Sequence, residues 1–118
     1  MMKRHNSFLL GSFQDMEIVG FKSLFGHTYP NSELTDALFR VERGVGRHPG
    51  TYAEGFRRGG LMATYLIGPL LPLNPPFTRY LLEQMGARDV HLAFEDTAMK
   101  AYRARVEEFR DEKRGYQY

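Results

Sequence analysis

Four histidines are the residues of this 118-residue sequence best suited to binding a metal ion or moving a proton near neutral pH. They occupy positions 5, 27, 48 and 91, and none stands four residues from another histidine. A zinc site built on one helix needs two histidines at that spacing, one turn apart. The sequence therefore predicts no metal site, and we interpret the four as ordinary surface or hydrogen-bonding residues.

The other reactive side chains do not point to a reaction either. The sequence contains no cysteine, which excludes thiol nucleophiles, disulfides and thiolate metal centres within it. The glycine-rich loop from Gly44 to Gly50 lacks the Gly-Lys-Ser/Thr ending of a phosphate loop. The carboxylate pairs Glu95–Asp96 and Glu107–Glu108 have basic neighbours, which favours a solvated, salt-bridged face. The sequence predicts neither an enzyme nor a bound cofactor.

Arginines form the one asymmetric charged patch, within residues 40–58. The chain as a whole is nearly balanced, with 16 Lys and Arg against 14 Asp and Glu. Five arginines fall in this stretch, interleaved with three aromatic residues: Arg40, Arg43, Arg47, Arg57 and Arg58, with Phe39, Tyr52 and Phe56. Such a mixture suits anionic lipid headgroups, an acidic protein surface, or an RNA backbone with stacked bases. A solvated basic face is the simplest alternative.

Three helices are predicted to position these residues. The first lies between a capping box at Ser12 and a C-terminal glycine, Gly26. The second lies within residues 30–44, where apolar residues recur at helical spacing. The third runs from Tyr52 to about Gly68, after a second capping box that begins with the preceding threonine.

The stretch from Gly59 to Thr78 contains no charged residue. Small residues recur every four positions on two neighbouring rows of the third predicted helix: Gly55, Gly59 and Ala63 on one row, and Gly60, Thr64 and Gly68 on the other. In a membrane or a large assembly such rows let a second helix approach closely. Prolines at positions 69, 72, 75 and 76 disfavour a strand in the second half of the stretch. Membrane insertion and burial in a protein core are the alternatives.

A short helix is predicted from Pro75 and a long one from about Val90 to Arg114. The apolar side chains of the long helix form a seam suited to a partner helix: Leu92, Met99, Tyr102, Val106 and Phe109. The sequence thus predicts an elongated, all-α fold in a single unit, residues 1–118. Its parts are the N-terminal helices and glycine-rich loop (1–50), the uncharged helix and proline-rich segment (51–78), and a charged helical region (79–118).

The stretch FRRGGLMATYLIGPLLPLNPPF places an arginine pair before a short apolar helix, and a polar helix follows it. In this layout the chain resembles the small supernumerary subunits of mitochondrial inner-membrane respiratory complexes. The resemblance implies a non-catalytic accessory subunit that braces other protein subunits and contacts anionic phospholipid, at the inner membrane or its matrix face. The alternative is a soluble helical RNA-associated protein, such as a peripheral component of an organellar ribosome.

Overall fold

A computed structural model describes residues 4–29 and 36–118, which form a mixed fold of strands and helices. The strands are β1 His5–Phe13, β2 Met16–Leu24, β3 Phe39–Arg43, β4 Ala53–Glu54, β5 Phe56–Arg58 and β6 Leu61–Ala63. The helices are α1 Leu70–Leu73, α2 Pro75–Gln84 and α3 Glu95–Arg110. The prediction of an all-α fold is therefore wrong, and the regular structure described before residue 64 consists of strands.

Strands β1 and β2 form a hairpin in place of the first predicted helix. Phe13 pairs with Met16, so Gln14 and Asp15 make a two-residue turn in which Gln14 has a φ of 54°. Both faces of the hairpin are buried over most of its length, so its apolar run is continuous rather than alternating. A continuous apolar run does not distinguish a buried strand from a buried helix, and this is why the residues after Ser12 predicted the wrong element.

A four-stranded antiparallel sheet follows the order β2-β1-β3-β4. Strand β3 pairs only with the second half of β1, where the register shifts. The C-terminal residues lie along the first half of β1. Phe8 N–H donates to the Tyr116 carbonyl at 2.9 Å, and Tyr118 N–H donates to the Asn6 carbonyl at 3.0 Å. The last residues of the sequence thus pair with the first half of β1, which β3 does not reach.

Strand β3 occupies the end of the second predicted helix. Phe39 and Val41 are buried, whereas Arg40 between them is exposed. This alternation is that of a strand with one face on the core, so the helical prediction is wrong there. Residues 30–35, which hold the start of that prediction, lie outside the described residues.

A hairpin of β5 and β6 replaces the third predicted helix. Gly59 and Gly60 form its turn, and Gly59 has a φ of 58°, a conformation that glycine adopts without steric penalty. Gly59 and Gly60, whose spacing from other small residues suggested helix-packing rows, therefore form a turn. None of the helices within residues 4–29 and 36–118 combines the length and the hydropathy that a membrane-spanning helix requires.

The two later helices agree better with the sequence. α2 begins at Pro75 and ends before Gly86, as the proline and glycine positions predict, and this prediction is confirmed. Asn74 precedes α2 but does not cap it with its side chain. Its amide instead pairs with the backbone of Val19, accepting at 2.8 Å and donating at 2.7 Å, and so ties α2 to the sheet. The predicted C-terminal helix is also present as α3, but it is shorter than expected.

The sheet separates two apolar clusters. The first joins it to α2 and contains Leu9, Phe13, Ile18, Leu38, Phe39, Val41, Leu66 and Phe77. The second joins it to α3 and contains Phe8, Leu10, Val19, Val106 and Phe109. Successive residues of β1 alternate between the clusters because side chains along a strand point to opposite faces. Helix α2, the sheet and helix α3 thus form three layers. The strand ends and loops near Lys22 are not covered by either helix layer.

Candidate functional site

A buried ion pair lies among the charged residues that the sheet brings together. Lys22 of β2 donates to Oε1 of Glu54 of β4 at 2.6 Å, and the side chains are only 5% and 0% exposed. Lys22 Nζ also donates to the Gly46 carbonyl at 2.6 Å. Removing two charges from water is costly, so such a pair persists only when additional hydrogen bonds surround it.

The second carboxylate oxygen of Glu54 receives those additional bonds. Thr64 Oγ1 donates to Oε2 at 2.7 Å, and Tyr65 N–H donates to the same atom at 3.0 Å. On the other side, two of the three N–H groups of Lys22 already bind oxygen atoms. Ser7 pairs with Lys22 across the hairpin, but this lysine is held as a donor and is not arranged to accept a proton from the serine.

Lys22 also lines a cavity of about 500 Å³, which we call the basic cavity. Its polar lining consists of basic, amide and hydroxyl side chains: Arg4, His5, Asn6, Ser7, Lys22, His27, Gln117 and Tyr118. Its apolar lining is Leu24, Val45 and Pro49. A cavity of this size with several converging polar groups is typical of a small-molecule site.

Two histidines line the basic cavity and a third lies close to them, a grouping that the sequence did not predict. The ring centroids of His5 and His27 are 5.1 Å apart, and His48 stacks on Tyr29 at 4.5 Å. Burial, together with the charges of His5, Lys22 and His48, lowers the pKa of His27 below its ordinary value. Within the described part of the chain, no three histidine or carboxylate groups are placed to hold a metal ion.

A second cavity, of about 660 Å³, lies between α2 and α3. Both signs of charge line it: Arg79, Glu83, Glu95, Asp96, Lys100 and Arg103. Arg79 of α2 forms an ion pair with Glu95 at the start of α3. Because its charges are mixed and partly paired, this cavity has no clear preference for an anion or a cation. The basic cavity is the better candidate site.

Arg43, a member of the predicted basic patch, forms its hydrogen bonds with the backbone at the C-terminal end of α3 and just beyond it. Its guanidinium donates to the carbonyl oxygens of Phe109 at 2.5 Å, Asp111 at 2.7 Å and Arg114 at 2.5 Å. The last carbonyls of a helix have no partner within the helix and carry partial negative charge. Arg43 therefore caps α3 from a neighbouring strand rather than facing a lipid or a phosphate.

Two further arginines of the patch are also engaged within the protein. Arg47 is buried, and its Nε donates to the Gly55 carbonyl at 2.9 Å while its guanidinium lies 4.0 Å from the ring centre of Phe56. Arg57 donates to the hydroxyl of Tyr80 at 3.2 Å. These contacts fix both side chains against their own fold.

Arg40 and Arg58 are the exposed members of the five. Arg58 makes a surface ion pair with Asp36 at 3.4 Å, of the kind that contributes little to stability. Contact with anionic lipid or with nucleic acid through these two residues stays a prediction. The structure does not bring the five arginines together as one basic surface.

The predicted rows of small residues lie on the β5–β6 hairpin and on either side of it. Gly55 precedes β5 and has a φ of 70°, and Gly68 precedes α1, has a φ of 122° and packs against Phe21. Ala63 ends β6, and Thr64 binds Glu54 as described above. Because these residues do not share a helix, they are not a helix-packing face. The complete set is Gly55, Gly59, Gly60, Ala63, Thr64 and Gly68.

The apolar seam predicted on the last helix packs against the chain's own sheet. Val106 and Phe109 are buried in the second cluster, and the hydroxyl of Tyr102 donates to a backbone carbonyl of β2 at 2.7 Å. Met99 lines the second cavity, and Leu92 precedes α3. The apolar face of α3, which suggested a partner helix, is thus largely covered by the sheet of the same chain.

Lys22 and Glu54 are the candidate residues that sequence analysis missed. Lys22 is the one charge in the apolar run from Ile18 to Phe25, and a charged residue is rarely buried without a partner. This isolated charge was the available signal. Glu54 instead resembled the glutamate of a helix capping box, and only the fold shows which charge it faces.

Comparison with models of known protein families finds no match. Over 71 residues the chain is 40% identical to a Staphylococcus aureus (strain N315) protein, "Lipid II isoglutaminyl synthase (glutamine-hydrolyzing) subunit GatD". The aligned part makes up 60% of this chain and 28% of that protein. The match therefore spans little more than a quarter of the relative's length.

This similarity overturns the functional predictions made from the sequence. A non-catalytic subunit of a respiratory complex, and the alternative of a ribosomal RNA-associated protein, are both wrong because the similar protein is a subunit of a glutamine-hydrolysing synthase. The prediction that the chain has no enzymatic role is wrong for the same reason. The predicted protein and phospholipid partners and the mitochondrial location stay predictions.

Proposed function

We propose that the chain is part of the machinery that hydrolyses glutamine to supply nitrogen for amide synthesis. The observation that carries this proposal is the 40% identity over 71 residues to a subunit of a glutamine-hydrolysing synthase. In this class of reaction, water displaces the side-chain amide nitrogen of glutamine to give glutamate and ammonia. The ammonia then forms a new amide at an activated acceptor carboxyl group.

The residues of this chain support a contributing role in that reaction rather than a self-sufficient one. Nucleophilic catalysis of amide hydrolysis needs an activated hydroxyl or thiol beside a base. The sequence has no cysteine. Within residues 4–29 and 36–118, the hydroxyls of Ser23, Thr51, Thr64 and Thr78 hydrogen-bond to partners other than histidine. We propose that a second polypeptide, with which the chain assembles, supplies the nucleophile.

An apolar row offers a surface for that polypeptide. Leu61, Tyr65 and Ile67 are 67%, 51% and 54% exposed, and they occur at alternating positions on one side of an extended segment. Large aromatic and aliphatic side chains are enriched in the buried centres of protein interfaces. The segment also contacts the ion pair, because the Tyr65 N–H binds Glu54. A protein bound to this row would lie close to the candidate site.

A depletion experiment tests the proposed function. The assembly that contains the chain is purified from cells that produce the chain and from cells that lack it, and ammonia release from L-glutamine is measured for both. We expect hydrolysis only with the chain present, restored to the depleted assembly by adding the purified chain. Equal rates in both preparations, or no ammonia release from the complete assembly, would contradict the proposal.

A further inference from the structure

The charged side chains that line the basic cavity are basic. They belong to Arg4, His5, Lys22 and His27, and none of the lining side chains that the structure describes is acidic. Glu54, the carboxylate closest to Lys22, is buried behind that lysine and accepts from Lys22, Thr64 and Tyr65. Glu54 is therefore the counter-charge of Lys22, and the cavity presents the guanidinium of Arg4 and the imidazoles of His5 and His27 beside this paired lysine.

Several hydrogen-bond donors accompany these charges. Ser7 and Lys22 are paired across the hairpin, which brings a hydroxyl and an ammonium group to the same wall of the cavity. Lys22 has a third N–H group beyond the two bound to Gly46 and Glu54. The side-chain amides of Asn6 and Gln117 add neutral donors. Charge-assisted hydrogen bonds from such groups are the strongest that an oxyanion receives in proteins.

The size of the cavity indicates more than a bare ion. A volume of about 500 Å³ lies in the range of sites for organic ligands. Leu24, Val45 and Pro49 provide apolar surface beside the donors. Together these features suit a ligand that has a negatively charged group and a compact apolar portion.

We propose that the basic cavity binds a small organic anion, whose phosphate or carboxylate group contacts Lys22, His5 and His27 while its carbon skeleton packs on Leu24 and Val45. The proposal is independent of the proposed function, because it depends on the charge and size of the ligand and not on an amide. The C-terminal residues form one wall of the site, since Tyr118 N–H is bonded to the Asn6 carbonyl.

The histidines make this binding dependent on pH. Burial and the charges of His5, Lys22 and His48 lower the pKa of His27, which favours its neutral imidazole. A bound anion favours the protonated imidazole and raises that pKa. Affinity must then increase as the pH falls from 8 towards 6, because proton uptake and anion binding assist each other.

Phenyl phosphate and benzoate are suitable probes, and phenol is the uncharged control. Binding is followed by the NMR chemical shifts of the uniformly labelled chain. We expect either anion to shift the signals of residues 4–7, 22–27 and 45–49. Benzoate keeps its charge between pH 6 and pH 8, so it should bind more tightly at pH 6 than at pH 8. The response to phosphate compared with carboxylate identifies the preferred headgroup. Equal binding of phenol, or shifts confined to other residues, would overturn the proposal.

Replacing the two cavity histidines distinguishes specific binding in the cavity from nonspecific electrostatic attraction of an anion to basic residues. In the double variant His5→Ala/His27→Ala we expect an affinity loss of about tenfold, comparable to one charge-assisted hydrogen bond. The pH dependence should also be reduced. His91→Ala is the matched control, because His91 is exposed and does not line the cavity. If the control loses as much affinity as the double variant, or if the double variant binds like the unaltered chain, the cavity is not the anion site.

Discussion

Among single residues, the Lys22–Glu54 pair has the largest expected effect on stability. Glu54→Gln removes the negative charge but nearly preserves the size of the side chain. Lys22, whose side chain is only 5% exposed, is then left without its charged partner. We expect the free energy of unfolding to fall by about 3 kcal/mol, the lower end for breaking a buried ion pair. Urea unfolding followed by circular dichroism measures this change.

Asp36→Asn is the control for that experiment. Asp36 makes the exposed ion pair with Arg58, and surface pairs of this kind contribute about 1 kcal/mol or less. The two substitutions are chemically equivalent and differ in burial. Similar losses for both would show that burial of the Lys22–Glu54 pair is not what makes it important.

Arg43 tests whether α3 is capped from a neighbouring strand. Arg43→Met keeps part of the aliphatic stem but removes three hydrogen bonds, one to the Phe109 carbonyl in the last turn of α3 and two to the Asp111 and Arg114 carbonyls that follow the helix. We expect a loss of about 2 kcal/mol, and faster hydrogen exchange over the last turn of the helix. Arg40→Met, on the same strand but exposed, should change stability by no more than about 0.5 kcal/mol. Unchanged exchange in the Arg43 variant would rule out the capping role.

Sequence reasoning at this scale identified residue types but not their partners. The arginines are close in sequence, but the fold places them in different environments. Arg40 lies on the exposed face of β3, whereas Arg43 binds the end of α3 and Arg47 packs on an aromatic ring. Those partners lie far away in the sequence or depend on the fold. Spacing along the chain could not reveal them.

Among the structural elements, the glycines distinguish the observed hairpin from the predicted helix. Gly55 has a φ of 70°, and a Cβ there would overlap the backbone carbonyl oxygen of Ala63. Gly55→Ala should therefore destabilise the fold by about 2 kcal/mol. Gly60→Ala, in open space and without a positive φ, is the control and should have little effect. In a helix both substitutions would be stabilising, so thermal unfolding of the two variants distinguishes the alternatives.

Helix α2 was predictable because its limits are local. Pro75 sets its start and Gly86 follows its end, so neighbouring residues alone define the element. Strands β1 and β2 were not predictable in this way. Both of their faces are covered, one by α2 and the other by α3, and this burial removes the alternation that normally identifies a strand.

In the molecule as a whole, the exposed apolar row should control assembly. The double variant Tyr65→Glu/Ile67→Glu places two charges on the proposed interface while leaving the buried clusters unchanged. We expect it to fold normally but to separate from its assembly, because desolvating charged groups opposes association. Size-exclusion chromatography of the tagged chain measures this. Tyr52→Glu, at a more exposed position outside the row, should remain associated, and retention of the double variant would exclude the row as the interface.

The candidate site illustrates why function was harder to predict than α2. His5, His27 and Lys22 come together only because β1 and β2 pair and the loop after β3 folds over them. The absence of cysteine correctly excluded a thiol nucleophile within this sequence, but it did not exclude a contribution to an enzyme. If the chain contributes to an enzyme as proposed, it does not need to carry the full set of reactive residues itself.

The most direct measurement of the proposed role follows the nitrogen itself. The assembly is purified through the tagged chain and incubated with L-glutamine carrying nitrogen-15 in its side-chain amide, and nitrogen NMR spectra are recorded over time. The proposed function predicts that the glutamine amide signal declines while labelled ammonium or a new labelled amide appears, and that depletion of the chain stops both changes. If the label stays in glutamine while the assembly is intact, the chain is not part of a glutamine-hydrolysing enzyme.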